Sequence, residues 1–289
     1  MSEQAIATTG RAMETRPVDL ATALRIEAAE GRAWVDCYAA APPGFAAEAG
    51  LGSREVGGAA VLAWAASGRR YFSRAIGLGV ARLATEEAID EIILGYDEAG
   101  ISMFLLQSLP HCGPAGYEGW LRERGLEPFD AQDRVIRGSE ASPPSVEVER
   151  ALLVEPVAPE RADEWAGFIQ RVYRLDTGPW LQRLVGRPGW HPYVVREEGR
   201  IVAARTMFIG GDGFAWCGMD GPVPGVMTDD YEPDAALCEF MVRDGLEMGV
   251  RCFLADIEVP SDAMDTPAYE YFGRLGFRRP YVRTHYARL

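Results

Sequence analysis

Apolar residues recur every three or four positions over 20–38, 85–99, 116–124, 159–173, 234–248 and 266–275, a spacing that predicts helices. In 159–173 the stripe is Ala162, Trp165, Phe168, Ile169 and Val172. A shorter helix is expected over 179–185. Strands are expected over 58–66, 71–77, 101–107, 129–136, 191–196, 201–209, 214–219, 251–259 and 281–286, where β-prone residues alternate or run together between turn signals. The run 251–259 is mostly apolar and suits a buried central strand. Glu197-Glu-Gly-Arg200 and Gly210-Gly-Asp-Gly213 read as hairpin turns, and Gly125, Gly249 and Gly276 as helix stops. Glu86, Glu87, Asp90 and Glu91 crowd the first turns of the helix at 85–99, where acids suit the helix dipole.

The segment from Gly138 to Ser145 is small, polar and proline-bearing, which marks a linker. Two units are therefore expected, residues 1–137 and 148–289, joined by 138–147. Each has a helix, then antiparallel hairpins, then helix–strand–helix–strand. The fold class is α/β (α+β), with a twisted, mostly antiparallel mixed sheet flanked by helices in each unit.

Composition narrows the chemistry. All 29 basic residues of the 289 are Arg, against 43 acids, for a formal charge of −14. With no Lys, a Walker P-loop and Schiff-base chemistry are excluded. The acidic balance argues against nucleic acid and against anionic membrane surfaces. No apolar run approaches the roughly 18–20 residues of a membrane-spanning helix. Residues 1–16 are polar with no hydrophobic segment, and the five Cys are scattered, so a cytoplasmic protein with free thiols is expected. Only three His are present, so no metal site is expected.

Several side chains carry candidate chemistry. Asp256 and Glu258 alternate along the strand at 251–259 and share a face, as a general base or in a salt bridge to Arg283 or Arg279. Asp229, Asp230, Glu232 and Asp234 precede a helix, as caps and solvated charges, as a site for a cationic substrate, or as hard oxygen ligands without EF-hand spacing. Tyr269 and Tyr271 lie on the last helix. Cys217 and Cys238 are either nucleophiles or small core residues, and His285 is either an acid–base or a structural residue. Trp180, Trp190, Trp216 and Tyr193 line a substrate channel or pack the core, and Met219 and Tyr231 join the candidate substrate contacts.

The end of the chain carries a motif. Thr266-Pro-Ala-Tyr-Glu-Tyr-Phe-Gly-Arg-Leu-Gly-Phe277 resembles the last helix and "LGF" turn of the GNAT (Gcn5-related N-acetyltransferase) superfamily, and Arg278-Arg-Pro-Tyr-Val-Arg-Thr-His-Tyr286 resembles its closing strand. The stretch from Trp190 to Ala204 looks like the strand–turn–strand before the cofactor strand. Ser73-Arg-Ala-Ile-Gly-Leu-Gly79 and Gln107-Ser-Leu-Pro-His-Cys112 resemble the degenerate first lobe of tandem GNAT proteins.

The resemblance implies two GNAT-like lobes and transfer of an acyl group from acetyl-CoA, another acyl-CoA or a carrier thioester to a small or cationic amine. It implies Glu258 or Asp256 as the base, with the backbone of Cys217, Gly218 and Met219 holding the pantetheine. The position of the family's thiolate-protonating Tyr is Phe272 here, beside Tyr271. The family's Arg-x-x-Gly-x-Gly/Ala pyrophosphate turn is replaced by Gly221-Pro-Val-Pro-Gly-Val-Met-Thr-Asp-Asp-Tyr-Glu-Pro-Asp234, a degenerate version without Arg. Between Asp229 and Glu270 lie 12 acids and two Arg, whereas the last 16 residues hold five Arg and no acid. Two other readings stay open: an enzyme without acyl-CoA that uses Asp220, Asp256, Glu258 and Tyr271 for proton transfer, and a non-catalytic ligand-binding module. Homodimerisation is left open.

Overall fold

A computed structural model describes residues 13–109, 113–141, 144–145, 150–222, 230–259 and 267–288. In the first half, α1 (Leu20–Ala39) and α2 (Pro43–Ala49) precede the strands β1 (Leu51–Val56), β2 (Ala59–Trp64) and β3 (Arg74–Ile76). Then come α3 (Glu86–Glu98), β4 (Leu105–Ser108), α4 (Tyr117–Glu123) and β5 (Glu127–Gly138). The second half runs β6 (Leu153–Pro156), α5 (Ala162–Tyr173), β7 (Trp190–Glu197), β8 (Arg200–Ile209) and β9 (Phe214–Gly221). It closes with α6 (Glu232–Glu247), β10 (Cys252–Glu258), α7 (Pro267–Arg274) and β11 (Arg278–Ala287). Among the described residues no helix is long and apolar enough to cross a membrane.

Local signals set the helix ends. Asp19 caps α1 by accepting from the Thr22 N–H at 2.7 Å, and Thr85 caps α3 by accepting from the Ala88 N–H. The expected helix at 179–185 is a 3-10 turn, Leu181–Leu184. The expected strand at 71–77 shortens to β3, because Arg70–Phe72 forms another 3-10 turn. Three elements carried no usable pattern: α2, β1, whose four middle residues are all exposed, and the four-residue edge strand β6.

Among the described residues all strands join one mixed sheet of eleven, in the order β1-β2-β3-β4-β11-β5-β10-β9-β8-β7-β6. The halves exchange their closing strands. β5, from the first half, lies against β10 of the second, with Arg134 opposite Asp256. β11, from the second half, lies against β4 of the first, with His285 opposite Gln107. The sheet thus runs on without a break across strands from before and after residue 138.

One face of the sheet carries a core shared by both halves, in which Ile26 and Trp34 of α1 meet Trp165 and Ile169 of α5. The other face carries two cores, one under α6 and α7 and one under α3 and α4. Gly245 lets α6 sit close to the sheet. A Cβ there would lie 2.5 Å from the Phe253 ring and 3.1 Å from the Met207 sulfur. Gly245→Ala is expected to destabilise the protein by about 1–3 kcal/mol through overpacking, read as a lowered urea midpoint.

Candidate active site

β9 and β10 run parallel and pair only from Phe214–Trp216 against Cys252–Leu254. Beyond that point β9 bulges. Thr206 of β8 faces Gly218 while Ala204 faces Gly221, and Met219 between them has φ 53°. A bulge bends its strand and increases the local twist, and a left-handed non-glycine residue stores strain. The two strands part, and a cavity of about 580 Å³ opens between them.

The cavity reaches both faces of the sheet. Trp216 and Met219 belong to the core under α1 and α5, Cys217 and Ile257 to the core under α6 and α7, and all four line it. Tyr271 and Phe272 of α7 close one side, and Ile169 and Tyr173 of α5 the other.

Six aromatic residues line the wall on the α1 face: Trp34, Trp64, Phe72, Tyr173, Trp180 and Trp216. They meet edge to face, with centroids 5.2 Å apart for Trp34–Trp216 and Trp64–Trp180, 5.4 Å for Trp64–Phe72 and 5.9 Å for Phe72–Tyr173. Rings braced in this way make a preformed surface.

Seven charged residues also line the cavity, and five are locked in ion pairs. Glu30 of α1 is fully buried between Arg74, Arg134 and Arg283, with Glu27 one turn earlier paired to Arg134 and Arg283 at 3.1 and 3.2 Å. Asp256 belongs to the same cluster, 2.7 Å from Arg283 and 3.2 Å from Arg134. Burial pushes the Glu30 carboxyl up, but Arg283, Arg134 and Arg74 outweigh it and hold the group well below the usual carboxylate range. Arg205 of β8 bridges Asp220 at 2.9 Å and Asp234 at 3.0 Å.

The remaining two, Glu258 and Arg69, have no ion-pair partner among the described residues. Glu258 ends β10 and is open to solvent. Burial of part of the group, then the negative charges of Asp130 and Asp220, raise its pKa above the ordinary value. A carboxylate of raised pKa is the stronger base.

A polar chain enters from the first half. The Tyr71 hydroxyl, on the cavity wall, donates to Asp130, and Asp130 lies 2.5 Å from Nδ1 of the fully buried His285. Gln107 meets the other ring nitrogen at 3.1 Å.

The structure thus brings Glu258, Asp256, Asp220, Tyr271, Trp180, Trp216, Cys217, Gly218 and Met219 to one cavity. Tyr193, Tyr231 and His285 lie outside its lining; the Tyr193 hydroxyl donates to Asp244 of α6 at 2.5 Å. Tyr269 donates to Asp133 at 2.6 Å, and Trp190 to Asp36 at 2.6 Å. The Tyr271 hydroxyl donates to the buried Asp234. Tyr271→Phe would leave Asp234 one donor short, and a loss of about 1–3 kcal/mol in unfolding free energy is expected on denaturant titration. Burial pushes the Cys217 thiol up to about 12, so it is not an activated nucleophile. Cys238 is pushed up as well, for the same reason.

Of the acidic group before α6, Asp229 falls outside the described residues. Asp230 and Glu232 are bound by Arg150 at 2.5 and 3.2 Å, and Asp234 by Arg205. These described members are paired with guanidinium groups, but the acids outnumber the two arginines, and Asp230 and Glu232 stay partly exposed. Among the described residues no cluster of three or more His, Cys, Asp or Glu could hold a metal ion.

Sequence reasoning offered the Asp256–Arg283 pair as one reading of Asp256, but missed Trp34, Trp64, Tyr71 and the rest of the buried ion cluster. One signal was present: Glu27 and Glu30 share the helical stripe of Ala23, Ile26, Ala33 and Trp34, where a surface helix would place apolar residues.

No family model matches the sequence, and no curated protein matches it either. Solved structures do match. A GCN5-related N-acetyltransferase from Kribbella flavida is 15% identical, with 91% of this chain and 94% of that one covered at a TM-score of 0.61. A tandem GNAT protein from the clavulanic acid biosynthesis pathway, solved without AcCoA, is also 15% identical, with 92% and 93% covered at a TM-score of 0.51. At this identity the likeness is one of fold, and the fold is that of the tandem GNAT proteins.

Proposed function

We propose that this chain of tandem GNAT fold is an acyltransferase that moves an acyl group from a CoA thioester to an amine in the opening between β9 and β10. The observation that carries the reading is the cavity spanning the sheet at the β9 bulge, with a carboxylate of raised pKa at its edge that has no ion-pair partner among the described residues. Fold alone does not give an activity, and the reading rests on this site.

The residues present fit the amide-bearing pantetheine arm of a CoA thioester, whereas the first turn of α6, with Glu232, Pro233 and Asp234, does not favour its pyrophosphate. Past Trp216, β9 pairs with no described strand on its β10 side, so the backbone groups of Cys217–Met219 that face that side are open to an amide-bearing arm. The thioester would supply the activated acyl group. Glu258 takes the proton that the attacking amine must lose, directly or through one water. Asp220 and Asp256 are held by arginines, and their part is to fix the walls. The aromatic wall excludes water from the acyl group and so limits its hydrolysis.

The test is amine-dependent release of CoA thiol from acetyl-CoA, paired with thermal stability in acetyl-CoA. Turnover with at least one amine is expected. A ligand at 100 times its Kd should also add about 2.7 kcal/mol to stability. No thiol release and no stabilisation at millimolar acetyl-CoA would remove the proposal and leave the ligand-binding reading.

A further inference from the structure

We propose that the acceptor is an amine carrying an aromatic body, and not a polyamine, an amino sugar or another strongly hydrated amine. The inference rests on the acyl-transfer reading above and adds to it the chemical class of the substrate.

Three observations carry it. First, the wall on the α1 face is built from Trp34, Trp64, Phe72, Tyr173, Trp180 and Trp216, six rings from both halves of the chain. Such a surface gains free energy by burying an apolar, planar group, and it offers a hydrated polyol few hydrogen-bond partners.

Second, the fixed charges around the chamber are satisfied internally. Glu30, Asp220 and Asp256 face arginines at 3.5, 2.9 and 2.7 Å. A polycation would need several free carboxylates, and Glu258 is the one lining carboxylate without an ion-pair partner among the described residues. The acids lining the chamber are thus mostly paired within the protein, and the chamber itself does not call for a multiply charged substrate.

Third, the two unpaired charges orient the ligand. Glu258 attracts an ammonium group and Arg69 repels one, so the amine points to the end of β10 while its body lies among the rings. The chamber lies on the α1 face of the sheet, away from α6 and α7, so an arm paired to the backbone of β9 and an aromatic body among the rings do not compete for one space. A cavity of about 580 Å³ is within the range of small-ligand sites and holds a one- or two-ring amine.

The experiment compares 2-phenylethylamine and tryptamine with spermidine, glucosamine and glycine ethyl ester. It measures kcat/KM with acetyl-CoA, and separately the binding of 2-phenylethylamine by calorimetry without acetyl-CoA. The aromatic amines are expected to be preferred by on the order of 100-fold, from burial of the ring. Phe72→Ala and Ile169→Trp, which empty and fill the chamber, should raise KM for the aromatic amines more than for the small ester. Thermal melts show whether each variant is folded, and the wild-type panel stands without them. Preference for spermidine or glucosamine would overturn the inference and leave acyl transfer intact. Binding of 2-phenylethylamine without acylation of any amine would remove acyl transfer and uphold the ligand class. Neither binding nor preference would overturn the inference outright.

Discussion

Glu258→Gln will lower kcat by about 10²–10⁴-fold, the usual span for loss of a general base, and will leave acetyl-CoA binding unchanged. Glu258 is open to solvent and has no ion-pair partner among the described residues, so the neutral, isosteric Gln removes a charge on which no described contact depends. The pH profile gives a second readout. A base works when deprotonated, and burial together with Asp130 and Asp220 raises the Glu258 pKa above the ordinary carboxylate value. Activity should therefore fall as pH drops through a value above that ordinary range, and the Gln variant should lose this limb. Steady-state kinetics with acetyl-CoA and an aromatic amine, from acid to neutral pH, check both. Asp256→Asn serves as the contrast. Asp256 lies 2.7 Å from Arg283 and 3.2 Å from Arg134, so its loss should cost stability before chemistry.

Arg134→Met is expected to have the largest effect on stability, a loss of about 3–5 kcal/mol, because it breaks a buried ion cluster and leaves three carboxylates to share Arg283 and Arg74. Arg134 is fully buried and touches Glu27, Glu30 and Asp256 at once. These residues come from α1, β5 and β10, so the cluster fastens the closing strand of the first half to both halves. The pH dependence follows from Glu30, whose pKa the arginines depress. A carboxylate of depressed pKa contributes its full stability above its unfolded value, about 4.3, and loses it as pH falls through that value toward the lower folded one. The wild type should therefore weaken on acidification below about pH 4. Arg134→Met, with Glu30 less depressed, should weaken less over the same range. Urea titrations at pH 7 and pH 4 measure both effects.

Much of this arrangement was legible beforehand. The 3.6-residue stripe fixed α1, α3, α5 and α6 to within a few residues, and Gly125, Gly249 and Gly276 marked the ends of helices as expected. The alternation of Asp256 and Glu258 rightly put both carboxylates on one wall. The exchange of closing strands was not legible. A period of two tells which face a residue takes, not which strand lies beside it, and Arg134 opposite Asp256 joins positions 122 apart. The aromatic chamber was hidden for the same reason, since Trp34 and Trp216 meet only across the fold. Charge was legible only in part. The stretch from 229 to 270 reads as strongly acidic, yet Asp230 and Glu232 are held by Arg150, Asp234 by Arg205, and Asp256 by Arg134 and Arg283. Those partners lie outside the segment, and a local count of charges cannot see them.

Hydrogen exchange with and without acetyl-CoA tests the central claim most directly, because it reads the strand where the thioester arm is assigned. The account predicts slowed exchange in peptides covering residues 216–221, where β9 leaves β10 and its amides on that side lack a strand partner. It also predicts smaller protection at 255–258, and none in β1 or β2 at the far edge of the sheet. Unchanged exchange over 216–221 at saturating acetyl-CoA would contradict the account.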